Sequence, residues 1–252
     1  MRPRAVALTA LLVAACAHEA PLRPGSAARP EIRQLDAGGG TNAFVVMGAR
    51  PILVDTGWGA KTKVLLRALA RISVAPRELS LIVLTHGHGD HAGGAAEMRR
   101  LSGAPIAAQR GDVAMLQAGH NRPLHPTGWL GRLLRSFSDK PFPPFTPDVI
   151  LDGELDLRPY GVAGKVVPAP GHTPGSSVVL LPGGDAIVGD LVRGELLRSH
   201  VAARHFFHDD CRAAEAHVAQ LAQAGVRRLF VGHGGPLDAA AAAARLRASP
   251  CP

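Results

Sequence analysis

Tyrosine is almost missing from this chain. There is one in 252 residues, beside two tryptophans and seven phenylalanines, so aromatics amount to 4%. Without aromatic side chains interleaved among basic ones, the formal charge of +8 does not describe a nucleic-acid-binding face. The Lys and Arg residues are scattered, with only short clusters such as Arg99-Arg100 and Arg227-Arg228. That pattern fits a solvated surface, or attraction to anionic lipid or cell wall. Cysteine is scarce as well. Cys211 and Cys251 stand apart from every ligand-type motif, and sequence alone leaves their pairing open. No G-x-S-x-G segment is present, so nothing points to a serine nucleophile on a strand-to-helix turn. No repeat of fixed period runs along the chain. Beyond the N-terminus no apolar stretch is long enough to cross a bilayer.

What is there begins with the N-terminus itself. Arg2 and Arg4 make a basic start, Ala5 to Ala15 an apolar stretch too short to span a membrane, and Val13-Ala14-Ala15-Cys16 closes it. A small-residue site ending in cysteine resembles a bacterial lipobox. Residues 1–15 are therefore expected to be a lipoprotein signal peptide, with the membrane reached through a lipid on Cys16. Residues 16–30 read as a flexible tether and 31–252 as one domain, large for a single core but ordinary for a two-sheet sandwich. The expected location is the periplasmic side of a bacterial cell envelope, with a secreted soluble protein as the alternative. Oligomeric state is left open.

The segment Thr85-His86-Gly87-His88-Gly89-Asp90-His91 carries the most chemistry. It follows the apolar run Leu81-Ile82-Val83-Leu84, which reads as a buried strand. Three imidazoles and a carboxylate thus crowd one turn, a donor set suited to borderline-soft divalent metals such as zinc. The intervening glycines keep the turn compact. With His at 12 of 252 residues, such a cluster arises by chance on the order of once in a thousand chains of this length. Three more segments repeat the pattern of apolar strand, glycine and ligand: Gly171-His172-Thr173-Pro174-Gly175, Val188-Gly189-Asp190 and Val231-Gly232-His233-Gly234. Loops at strand ends are where rigid scaffolds place chemistry. The full set is seven ligands: His86, His88 and His172 for one metal, Asp90, His91 and His233 for a second, and Asp190 between them.

These motifs, with Asp55 in Val54-Asp55-Thr56-Gly57 ahead of them, occur in the order found in the metallo-β-lactamase fold superfamily, which residues 31 to 245 resemble closely. The resemblance implies an α/β fold, an αβ/βα sandwich with a binuclear metal site at the sheet edge. It also places Asp55 beside the metals, orienting a ligand imidazole. Two zinc ions are the expected cofactors, with iron or manganese also compatible. Two such cations can share a bridging water and generate a hydroxide nucleophile, while Asp90 orients it or takes up a proton. Asp90 and Asp55 are thus the catalytic candidates. The expected activity is hydrolysis of a small ester, lactone, thioester or similar substrate.

Branches of the family are separated by particular residues. True metallo-β-lactamases lack the bridging Asp seen here as Asp190. The glyoxalase II branch carries a C-terminal helical domain, and little sequence follows His233. Acyl-homoserine lactonases use a tyrosine just after the bridging Asp, whereas the single tyrosine here is Tyr160. The RNA-gripping arm of the tRNA-processing nucleases is not found. Mononuclear-iron persulfide dioxygenases, oxidoreductases of the same superfamily, need only ligands like His86, His172 and Asp190. They dispense with a complete second site, while Asp90, His91 and His233 are all present here. The alternatives kept are therefore that oxidoreductase, a β-lactamase and a non-catalytic metal-binding domain.

Between the motifs, Glu31–Leu35, Ala43–Val46 and Ile52–Val54 read as short strands. Helices are expected over Lys61–Ile72, Ala92–Leu101, Gly111–Ala118, Asp209–Ala224 (capped by Asp209 or Asp210) and Asp238–Arg247. Residues 119–148 break the rhythm as a lid-like insertion, with one short helix at Trp129–Phe137. Of the remaining histidines, His120, His125, His200, His205, His208 and His217, most are expected at the surface. His205-Phe206-Phe207-His208 is the best placed to line a pocket.

Overall fold

The computed structural model describes residues 30–249 and 251. The expected signal peptide, Cys16 and all but the last residue of the expected tether lie outside these residues. Six strands, β1 (Glu31–Gly38), β2 (Thr41–Met47), β3 (Ile52–Val54), β4 (Ile82–Val83), β5 (Ile106–Gln109) and β6 (Val149–Leu151), form one sheet in chain order. Antiparallel pairing in β1–β3 gives way to parallel pairing from β3 to β6. The later strands are β7 (Leu155–Asp156), β8 (Lys165–Pro168), β9 (Ser177–Leu181), β10 (Asp185–Gly189), β11 (Arg193–Gly194), β12 (Ala202–Ala203), β13 (Arg228–Val231) and β14 (Leu237–Asp238). A second sheet takes the order β14-β13-β10-β9-β8-β7, and β11 and β12 pair as a separate ribbon.

Period-two alternation explains why both sheets are covered on both faces. In β2, Phe44 and Val46 point into the core between the sheets, while Ala43 and Val45 point to the helical side. In β3, Ile52 and Val54 face inward and Leu53 outward. The second sheet mirrors this: Ile187 and Phe230 meet the central core, and Ala186, Val188, Leu229 and Val231 face the other way. Phe44 and Phe230 touch edge to face across the sandwich, their centroids 6.1 Å apart.

Seven helices follow in chain order: α1 (Thr62–Arg71), α2 (Gly89–Ala92), α3 (Ala95–Ser102), α4 (Val113–Ala118), α5 (Trp129–Ser138), α6 (Cys211–Gln223) and α7 (Ala239–Ala248). Leu65 and Leu69 of α1 and Met98 of α3 seal the outer face of the first sheet. Val218 and Leu221 of α6, with Ala242, Ala243 and Leu246 of α7, seal the second. The architecture is the αβ/βα sandwich expected. Asp210 caps α6 by accepting from the Ala213 amide at 2.9 Å, and Asp238 caps α7 through Ala241 at 2.8 Å. Cys211, the first residue of α6, is disulfide-bonded to Cys251, just past α7, across a Cα separation of 6.1 Å.

One sequence expectation needs correction. The helix expected over Ala92–Leu101 is two pieces, α2 and α3, broken at Gly93-Gly94. The insertion at 119–148 is anchored in the first core by Phe142 and Phe145, each 6% exposed, while α5 leaves Trp129 76% and Leu133 61% exposed.

Candidate metal centre

All the ligand-type residues sit just past strand ends, and the two sheets bring those ends to one edge. The first sheet delivers Asp55 after β3 and the His86–His91 block after β4. The second delivers His172 after β8, Asp190 after β10 and His233 after β13. The third strand can come this close only because residue 232 is glycine. A Cβ there would lie 2.1 Å from Asp190 Oδ1 and 2.5 Å from His91 Cε1.

Asp190 is the hub. Its Oδ2 lies 3.3 Å from His233 Nε2, 3.4 Å from His91 Nε2, 3.7 Å from His172 Nε2 and 3.9 Å from His86 Nε2. His88 joins through Nδ1, 3.0 Å from His172 Nε2. Asp90 Oδ2 lies 3.3 Å from His233 Nε2 and 3.8 Å from His91 Nε2. Potential donor atoms of His86, His88 and His172 form one group within 4.8 Å of one another, and those of Asp90, His91, Asp190 and His233 form another. The structure thus brings all seven residues singled out in the sequence to one place, with Asp190 grouped beside Asp90, His91 and His233.

The side chains that aim these donors are equally specific. Asp55 adopts a left-handed φ of 60°, tolerated by Asp better than by most residues. Its Oδ1 accepts from the Thr85 amide at 2.8 Å, and its Oδ2 from the Thr85 hydroxyl at 2.7 Å and His91 Nδ1 at 2.8 Å. Asp55 is fully buried and reaches the centre through two groups, His91 directly and His86 by way of the Thr85 hydroxyl, which lies 3.1 Å from His86 Nδ1. His233 Nδ1 donates to the Gly40 carbonyl at 2.9 Å, and His172 Nδ1 to that of Phe207 at 2.9 Å. Each such bond keeps a proton on Nδ1 and turns Nε2 toward the centre.

Burial and charge act against each other here. Burial holds His86, His88 and His172 below the usual histidine range, which keeps them neutral as ligands must be. Burial would lower His91 and His233 too, but Asp190 and Asp90 outweigh it; His91 is raised and His233 reaches about 10. Burial would likewise raise Asp90 and Asp190, yet the facing imidazoles hold both carboxylates ionised. His86 Nε2, His91 Nε2 and Asp190 Oδ1 are buried with no hydrogen-bond partner. Buried polar atoms without partners are costly. Imidazole nitrogens gathered around anionic oxygens are the donor set a divalent cation needs, with the cation taking the place of the protons, so the residues fit divalent metal.

Sequence reasoning missed two supports. Asp112, on the turn before α4, is 1% exposed. Its Oδ2 accepts from the Gly87 amide at 2.7 Å and the Thr173 hydroxyl at 2.7 Å, and its Oδ1 from the Gly175 amide at 2.9 Å. It ties the loop of the first sheet to the loop of the second. Asn121 accepts from the Gly89 amide at 2.9 Å and donates to the Ser138 carbonyl at 3.1 Å, joining the lid to the histidine block. No motif marks either residue.

The histidine expectations divide. His205 lines the cleft as expected, but is 6% exposed, and its Nε2 lies 3.1 Å from Asp190 Oδ2. His208 is 4% exposed rather than at the surface, with both ring nitrogens unpartnered. Burial lowers these two to about 4 and about 3. His120, His125 and His200 lie outside the centre. The cleft above the centre holds roughly 200 Å³ and is walled by Trp58, Leu124, Leu134, Phe206 and Phe207, with Asp90, Asp190 and His233 at its base.

Comparison with known proteins agrees with this geometry. The family model of the metallo-beta-lactamase superfamily matches residues 36–233. A hydroxyacylglutathione hydrolase from Anaeromyxobacter dehalogenans is 32% identical over 147 residues, 58% of this chain and 44% of that protein. A probable metallo-hydrolase from Methanocaldococcus jannaschii is 24% identical over 152 residues, 60% of this chain and 67% of that one. The chain thus spans less than half the length of the first relative. Among solved structures, a metallo-beta-lactamase from Novosphingobium pentaromativorans superposes with a TM-score of 0.60 at 20% identity, covering 92% of this chain and 91% of its own. That likeness is one of fold. By the family match, which spans every motif from just before Asp55 to His233, this chain belongs to the metallo-beta-lactamase superfamily.

Proposed function

We propose that the protein is a binuclear metal-dependent hydrolase acting on a small ester, lactone or thioester with an uncharged, apolar acyl portion. The observation that carries this reading is the cluster of imidazole Nε2 atoms gathered around Asp190 at the base of the cleft. His86, His88 and His172 would hold one cation, Asp90, His91 and His233 the other, and Asp190 both. Two zinc ions there would activate a shared water and polarise the scissile carbonyl. The relatives named as a hydroxyacylglutathione hydrolase and a probable metallo-hydrolase support hydrolysis.

The residues divide the work. Asp55, through His91, holds the second set in register. Asp90, 20% exposed at the cleft floor, would orient the attacking water and accept its proton. Trp58, Leu124 and Leu134 offer an acyl group apolar contact and exclude bulk water. The Cys211–Cys251 bond supports folding in an oxidising compartment, in line with lipid-anchored export through Cys16.

The test is metal analysis of the purified protein together with a panel of esters, lactones, thioesters, β-lactams and phosphodiesters. Two zincs per chain and preferred turnover of an apolar ester, lactone or thioester are expected. One iron and oxygen consumption with a persulfide, or β-lactams as the best substrates, would overturn the reading.

A further inference from the structure

Phe207 offers one carbonyl oxygen to two imidazoles. His172 Nδ1 approaches it at 2.9 Å and His205 Nδ1 at 3.2 Å. The two rings stand edge to face with centroids 4.6 Å apart, and both direct Nε2 toward Asp190 Oδ2, at 3.7 and 3.1 Å. His172 belongs to the expected ligand set. His205 shares its orienting group and its target, although it lies on the irregular segment between β12 and α6 and matches no motif.

We propose that His205 is an eighth metal-ligating residue, its Nε2 given to a cation shared with His172 and Asp190. This rests on the two-metal reading above. Donors at ~2.0–2.1 Å from one cation lie roughly 2.9–3.4 Å apart along an edge of its coordination shell, from the right angles of a cation with five or more donors to tetrahedral angles. The His205–Asp190 separation of 3.1 Å falls close to that edge, in the same range as His91 and His233. One ligand-type atom from each of His172, Asp190 and His205 lies within 4.8 Å of the others.

The Phe207 amide lies 3.3 Å from His205 Nδ1, so the opposite tautomer has a partner as well. It would turn an Nε2 proton toward Asp190. With a cation on that carboxylate, the proton would face positive charge, whereas the bare nitrogen would face it as a donor. A loaded centre therefore selects the tautomer in which Nδ1–H donates to the Phe207 carbonyl. This is the arrangement already seen at His172, a ligand imidazole fixed by a hydrogen bond at its far nitrogen. The extra donor takes up a coordination position on the cleft side, next to where substrate must enter.

Two measurements test this on the full chain. Nitrogen-15 imidazole NMR of the zinc-loaded protein should show His205 protonated at Nδ1, with Nε2 unprotonated and shifted as the metal-bound nitrogens are. Competition of zinc against a chromophoric chelator should show one of two equivalents weakened about a hundredfold or more in His205→Ala. That is at least the loss ascribed to removing a mere orienting partner. His205→Gln should weaken it similarly, which separates a lost ligand from lost packing. A proton on His205 Nε2 in the loaded protein, or zinc affinities within about twofold in both variants, would overturn the proposal and leave the two-metal reading standing. Fewer than two equivalents in the wild type would overturn both.

Discussion

Asp55 Oδ2 sits 2.8 Å from His91 Nδ1 and accepts from the Thr85 hydroxyl at the same time, all three groups being buried. The carboxylate so placed fixes both the ring and the start of the loop that carries His86. Asp55→Asn keeps the volume but removes the negative charge and one of the acceptor oxygens. The expected result is a ten- to a hundred-fold loss in metal affinity or kcat, of the order seen for partners of ligand imidazoles. Chelator competition and kcat on the best panel substrate check it; unchanged values for both would remove Asp55 from the machinery.

Asp190 answers to a larger demand. Four imidazole nitrogens of the expected set lie within 3.9 Å of its Oδ2. Asp190→Asn should lose at least one metal equivalent and lower kcat by about two or more orders of magnitude, since two cations would then repel with less compensation. Retention of two metals and near-normal turnover would show that Asp190 does not bridge.

Acid should destabilise the metal-free protein through His208. Burial holds this histidine at about 3, against an ordinary value of 6.5. Between those values the unfolded chain binds a proton that the folded chain refuses, so stability rises with pH across the window and is lost on acidification. His208→Leu removes that group at similar volume. Its Tm should fall less than the wild type's between pH 6.5 and pH 4. Parallel Tm curves for the two proteins would mean that His208 finds a partner in solution.

The disulfide closes a loop of 40 residues that includes most of α6 and all of α7. On the loop-entropy account, Cys211→Ser with Cys251→Ser should cost about 4 kcal/mol of unfolding free energy. Urea unfolding of the double variant and the oxidised parent measures it directly. A difference below about 1 kcal/mol would show that the bond adds little to the packing of α6 on α7.

Much of this was legible in the chain because it is local. The alternation of Phe44 and Val46 against Val45 needs only neighbouring residues, and so does the crowding of His86, His88, Asp90 and His91 in one turn. What escaped is long-range. Asp112 acquires its role because the Gly87 and Gly175 amides, 88 positions apart in the sequence, converge on one carboxylate. The break after α2 has the same origin: a Cβ at Gly94 would lie 2.7 Å from the Thr56 carbonyl, a contact no helical periodicity reports. His205 follows Asp190 by fifteen positions along the ribbon and an irregular segment, so no fixed spacing marks it.

The division of the centre between the two sheets also sets an order of assembly. His86, His88, Asp90 and His91 leave the ribosome long before His172, Asp190 and His233, and neither set alone makes up either donor cluster. The chain must lay one sheet on the other before the cage exists, so metal capture is a late act of folding. The supply that loads the protein is therefore that of the compartment where the sandwich closes, whatever metals the early half met on the way.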